Sequence, residues 1–233
     1  MEAVSVMKSL KYLVAASAAV AMFGMASAAS AADDVTNTAH NLTLTTNNVY
    51  ATSGTDEICV FCHTPHAAST SAKPLWNRED SAASYTMYDS VWSSTMDMTV
   101  AGTPQGVSLA CLSCHDGTVA LDAFQNAPGS GGGVVGSEGY TFTGAGAGNI
   151  FPTASFAMLG PDMTNDHPIS VTYAISGPNS DSAFNAEGTF TNVTLANGNV
   201  ECSSCHNPHD DTNGTFLRAS NAASALCKEC HIK

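Results

Sequence analysis

The chain of 233 residues carries 20 acidic but only 7 basic side chains, a formal net charge of −13 with histidine neutral. So acidic a chain is neither a nucleic-acid binder nor a protein drawn to anionic membrane surfaces, because both need clustered lysine and arginine. Its length allows one or two domains, and its 8 Cys and 8 His are the residues from which its chemistry must be read.

At the N-terminus, Lys8 and Lys11 precede an apolar, Ala-rich run over residues 12–25. Ala29-Ser30-Ala31 then gives a small-residue cleavage site before Ala32, with Ala26-Ser27-Ala28 as a second candidate. The run is too short and too Ala-rich for a membrane span. Residues 1–31 are therefore read as a secretory signal, with Met7 an alternative start, and residues 32–233 as one domain. Export places the cysteines in an oxidising compartment.

Residues 32–54 are polar, rich in Thr and Asn, and lack a helical period, so His40 is expected on an exposed arm. Asp56 or Thr55 can cap a short helix running through Cys59 to His63, which Pro65 would end just before His66. Residues 67–106 read as loop, with Trp76, Tyr85, Tyr88 and Trp92 available for packing. Ser108 is expected to cap a helix through Cys111 to His115, and Asp116-Gly117-Thr118 turns the chain out of it. A Gly-rich stretch over residues 128–148 lacks the Gly-Lys-Ser/Thr of a phosphate loop; it suits close backbone approach or flexibility. Val171 to Tyr173 and Thr189 to Leu195 alternate weakly as strands, and Asn197-Gly198 signals a hairpin turn into Val200. Ser220 can cap the last helix, through Cys227 to His231.

One motif recurs: Cys59-Val60-Phe61-Cys62-His63, Cys111-Leu112-Ser113-Cys114-His115, Cys202-Ser203-Ser204-Cys205-His206 and Cys227-Lys228-Glu229-Cys230-His231. Cys-x-x-Cys-His is the attachment motif of c-type haem. Two thiols form thioethers to the haem vinyl groups, and the adjacent His supplies the proximal nitrogen to iron. On one helical turn the spacing puts both sulfurs and the imidazole on a single face. A zinc knuckle or a disulfide framework needs no His after the second Cys, yet all four copies have one and together they use every Cys. The remaining histidines, His40, His66, His167 and His209, number as many as the motifs. Four irons with two imidazoles each would use all eight. His66 follows His63 by three residues, and His209 follows His206 likewise. Neither pair can approach opposite faces of one ring, so each second His is expected on a different haem. The expected cofactors are four covalent haems c. The expected fold is a loop-rich chain with few short helices and minor strands, wrapped around a chain of haems rather than around an apolar core of its own.

The run His40 to Thr43, Ile58 to His66, Pro74-Leu75-Trp76-Asn77, Cys111 to Thr118, Asp166-His167-Pro168 and Cys202 to His209 resembles the paired-motif multihaem cytochromes of metal-reducing bacteria, and in haem number and size their tetrahaem outer-surface members. The resemblance covers most of the mature chain. It implies bis-His haems in a continuous chain along an extracellular filament, with one distal His donated by a neighbouring subunit. It assigns His66 to the second haem, His209 to the fourth, His167 to the first and His40, from the adjacent subunit, to the third; the last two are interchangeable. Electron transfer, not enzyme catalysis, is the expected function. A soluble periplasmic shuttle and, behind it, a multihaem reductase with an open iron site are the rivals. Expected partners are copies of the same chain and either redox proteins or extracellular metal oxides, with no nucleic acid and no membrane span. The expected location is the cell surface or beyond, with the periplasm as alternative.

Overall fold

Helical turns form where the four motifs lie, and regular structure elsewhere is slight. The first motif starts on a 3-10 helix, Ile58–Phe61. The others sit on α1 (Gly106–His115), α2 (Cys202–Cys205) and α3 (Cys227–Cys230). Six two-residue strands pair antiparallel: β1 (Tyr50–Ala51) with β4 (Phe142–Thr143), β2 (Ala123–Phe124) with β3 (Gly136–Ser137), and β5 (Val171–Thr172) with β6 (Asn199–Val200). This computed structural model describes residues 34–52, 55–127, 136–137, 140–174 and 182–232. They fall in one unit, Asp34–Lys233. The expected secretory signal, residues 1–31, lies outside them, as does Gly131-Gly132-Gly133. Among the described residues no helix is long and apolar enough to cross a membrane.

The loop-rich architecture agrees with expectation, but the chain does have apolar cores. One gathers Val49, Val60, Phe61, Leu121, Phe124, Ala127 and Phe142; the other gathers Met87, Leu112, Met163 and Ile169. Nor are residues 34–52 a free arm. Asn41 is buried and donates to the Thr36 carbonyl at 2.6 Å, while its Oδ1 accepts from the backbone N–H of Thr43 at 3.0 Å. The Asn47 amide donates to the carbonyls of Thr38 and Asn41 at 3.1 and 2.9 Å. Short amide side chains here do what a helix or sheet ladder does elsewhere: they satisfy backbone groups the fold takes from water.

Two glycines have defined geometric roles. Gly117 ends α1 at φ 68°, in the left-handed region common just past a helix C-terminus. Gly144, at φ 81°, brings its backbone so close to Asn48 that an added Cβ would lie 1.9 Å from the Asn48 carbonyl oxygen. This is the close approach expected of the Gly-rich stretch.

The hairpin signal forms: Asn197 and Gly198 both take positive φ, 53° and 79°, and turn the chain into β6. The strand expected over Thr189 to Leu195 does not. The carboxylate of Glu229 accepts from the backbone N–H groups of Thr191 and Asn192 at 2.6 and 3.1 Å, which removes donors a partner strand would use. The helix caps also differ. Glu57, Gln105 and Leu226 occupy the N-cap positions of the first, second and fourth motif helices, with no side-chain bond. Thr55 accepts from the Glu57 N–H at 3.0 Å and Ser220 from the Ala222 N–H at 3.3 Å, both in local turns. Ser108 is inside α1. Its hydroxyl donates to the Glu201 carboxylate and accepts from the Cys202 N–H at 3.0 Å, which stitches α1 to α2. Ser170 adds a bond to the same carboxylate at 3.0 Å. Burial pushes the Glu201 carboxyl above the usual carboxylate range, and these hydroxyls oppose that shift.

Candidate haem-binding site

The histidines of the first three motifs are aimed by backbone carbonyls. The Nδ1–H of His63 donates to Pro74 at 2.8 Å, that of His115 to Ala157 at 2.8 Å and that of His206 to Thr215 at 2.9 Å. Two histidines outside the motifs are held likewise, His40 by Pro208 at 2.8 Å and His167 by the carbonyl of Pro168 at 2.9 Å. A carbonyl can only accept, so Nδ1 carries the hydrogen in each ring. That tautomer leaves the Nε2 lone pair free for a metal, and a backbone partner on the other nitrogen is the usual support of a ligating histidine. Burial lowers the pKa of His40 and of His115, which favours the neutral, ligating form.

The rings then meet in pairs. His63 and His209 have centroids 6.0 Å apart, His40 and His115 6.2 Å, and His167 and His231 6.3 Å. A metal–imidazole bond is about 2 Å and an imidazole's centre lies roughly 1.1 Å behind its nitrogen, so two rings sharing one metal atom stand about 6.2 Å apart. The separations are those that two imidazoles sharing one haem iron would have. Each pair joins one motif histidine to one outside the motifs. His206 and His66 remain, and among the described residues no ring is paired with either in this way.

This pairing differs from the one the resemblance implies. His209 meets the first motif rather than the fourth, His167 the fourth rather than the first, and His40 the second within its own chain. The reason is packing. His40 is fixed by the Pro208 carbonyl and by the Phe216 ring, stacked on it at 4.1 Å with 17° between planes. His209 lies against His63 of the first motif.

The thiols place consecutive motifs side by side. Cys62 lies within electrostatic reach of Cys114, Cys111 of Cys202, and Cys205 of Cys227 and Cys230. Burial pushes Cys62 up to about 12 and Cys230 up to about 11. Among the described residues no three His, Cys, Asp or Glu side chains converge as a closed zinc site requires. Between the first two motifs lies Arg78, 1% exposed, whose guanidinium donates to the carbonyls of Leu121 and Ala120 at 2.7 and 2.6 Å and to Ser113.

The aromatic residues expected to pack divide. Trp76 stands edge-on to His63 at 6.1 Å, and the Tyr85 hydroxyl donates to Asp116 at 2.5 Å, whereas Trp92 is 55% exposed. Sequence reasoning missed Arg78, Glu201 and Phe216, and it missed the carbonyl anchors. Arg78 had a signal, as one of two arginines in an acidic chain. The carbonyls had none, because every residue has one.

Four attachment motifs, three of them with a second imidazole set near the motif ring, point to the class of multihaem c-type cytochromes, electron-transfer proteins that hold haem covalently through cysteine thioethers. Comparison supports this class. The family model for the doubled CXXCH motif matches residues 194–233, which contain the third and fourth motifs. No curated protein matches the chain.

Proposed function

We propose that the chain conducts electrons through four bis-histidine haems c, and that its exported copies join into an extracellular filament. The observation that carries this reading is the set of ring separations. Three of the four motif histidines already face a second imidazole at 6.0 to 6.3 Å. Each haem, when bound, supplies an iron that gains or loses one electron.

The chain's residues do the rest. Cys59 and Cys62, Cys111 and Cys114, Cys202 and Cys205, and Cys227 and Cys230 tether the haems. His63 with His209, His115 with His40, and His231 with His167 would hold the irons of the first, second and fourth motifs. His206 would hold that of the third, with His66 of a neighbouring copy as its second ligand. With every iron filled, no site is open to a substrate, which favours a conductor over a reductase. The adjacency of consecutive motifs supports haem edges close enough for electron transfer along the chain. Resemblance to tetrahaem outer-surface cytochromes supports the filament, and metal oxides or other redox proteins are its acceptors.

Two imidazoles lack the potential-raising effect of a methionine ligand. A net charge of −13 favours the ferric state further. Redox titration of the holoprotein is therefore expected to show all haems reduced only at low potential, below the range of Met/His cytochromes. Potentials within that range would overturn the bis-histidine reading.

A further inference from the structure

His40 is fixed more tightly than its partners. Its Nδ1 is bonded to the Pro208 carbonyl at 2.8 Å, and its face lies against Phe216 at 4.1 Å and 17°. The other paired histidines meet their aromatic neighbours obliquely: His63 meets Trp76 at 81°, His115 meets Phe151 at 49° and His231 meets Phe184 at 47°. A hydrogen bond alone leaves an imidazole free to swing about the axis of that bond. A ring stacked on its face blocks the swing. Phe216 reaches this place through a costly backbone: Thr215 and Phe216 both take positive φ, 46° and 59°, without being glycine. The same turn gives the Thr215 carbonyl to His206 at 2.9 Å, and the Phe216 carbonyl accepts from the Asn207 N–H at 2.8 Å.

The angle between axial imidazole planes has a physical consequence. Parallel planes act on one of the iron's two π-type d orbitals and split the pair. Perpendicular planes act on both and keep them nearly degenerate, which increases the magnetic anisotropy of low-spin ferric haem. Here the ring planes of His63 and His209 differ by 34°, those of His40 and His115 by 71°, and those of His167 and His231 by 82°.

We propose that Phe216 is a positioning residue that holds the His40 ring nearly perpendicular to His115 and so makes the second haem a highly anisotropic low-spin centre. This rests on the bis-histidine reading proposed above. Axial ligation and its surroundings are the levers by which a protein tunes haem, and Phe216 works one of them without touching the iron.

The test is low-temperature electron paramagnetic resonance of the oxidised holoprotein. The native spectrum should contain ramp-shaped signals of large maximum g from the second and fourth haems, with a rhombic signal from the first. In Phe216→Leu one ramp signal should move or turn rhombic while the other stays, and Phe216→Tyr, which keeps the ring, should restore it. If the leucine variant loses haem, Phe216→Gly decides by the same readout, since glycine accepts the positive φ. Ramp signals unchanged in the ring-deleted variant would overturn the proposal while leaving the bis-histidine haems standing. A native protein without low-spin signals would overturn the bis-histidine reading itself.

Discussion

Replacing His66 with alanine is expected to abolish filaments and to leave one haem in four without its distal ligand. The expectation follows from the ring pairs. His40, His167 and His209 each face a motif histidine of their own chain at 6.0 to 6.3 Å. His206 is aimed by the Thr215 carbonyl at 2.9 Å but has no ring opposite it among the described residues. His66 is exposed, three residues beyond His63, and has no ring partner among them either. If the other three spare histidines ligate within their own chain, the exposed His66 is the one left to complete a site on another copy. Electron microscopy of exported holoprotein should show filaments for wild type and discrete particles for His66→Ala. Its absorption spectrum should gain a high-spin component of about one quarter of the haem. His40→Ala is the control: it removes a ligand within each chain and should keep the filament. Filaments that persist in His66→Ala would refute donation by this residue. Single-chain particles in wild type would favour the periplasmic shuttle.

Arg78→Leu should destabilise the holoprotein by roughly 3–5 kcal/mol, since each buried acceptor left without a donor costs about 1–3 kcal/mol. Arg78 is 1% exposed, and its guanidinium donates to neutral acceptors: the carbonyls of Leu121, Ala120 and Ser113 and the Ser113 hydroxyl. Its fork ties α1 to the turn leading into β2. Leucine fills part of the volume but satisfies none of the acceptors. Lysine keeps the charge but cannot span acceptors placed for a planar fork, so Arg78→Lys should recover only part of the loss. Against a total stability of about 5–15 kcal/mol for a domain, such a loss would show as a large drop in the denaturant midpoint followed by far-ultraviolet circular dichroism. A midpoint within experimental error of wild type would show that water takes over the role of the guanidinium.

The haem motifs were legible because covalent attachment demands a fixed spacing of two thiols and an imidazole. The Asn197-Gly198 turn was legible for a local reason too: both residues tolerate the positive φ that a tight hairpin requires. What the sequence hid was long-range. His40 is anchored by a carbonyl 168 residues away, and no local pattern says which carbonyl or which ring it meets. Ser108 looks like a helix cap, yet Glu201, 93 residues on, takes its hydroxyl. Residues 189–195 look weakly like a strand, yet the Glu229 carboxylate claims two of their N–H groups. Polarity in residues 34–52 suggested an exposed arm, whereas those Asn and Thr side chains satisfy the backbone of a folded segment. In each case a side chain with two possible uses took a partner that its own sequence pattern does not name.

The most direct test of four covalent haems is the intact mass of the protein purified from its native exported fraction. The account predicts the mass of the mature chain plus four haems, with no cysteine left to react with a thiol reagent. A mass showing fewer haems, or a chain whose cysteines are free or joined in disulfides, would contradict it.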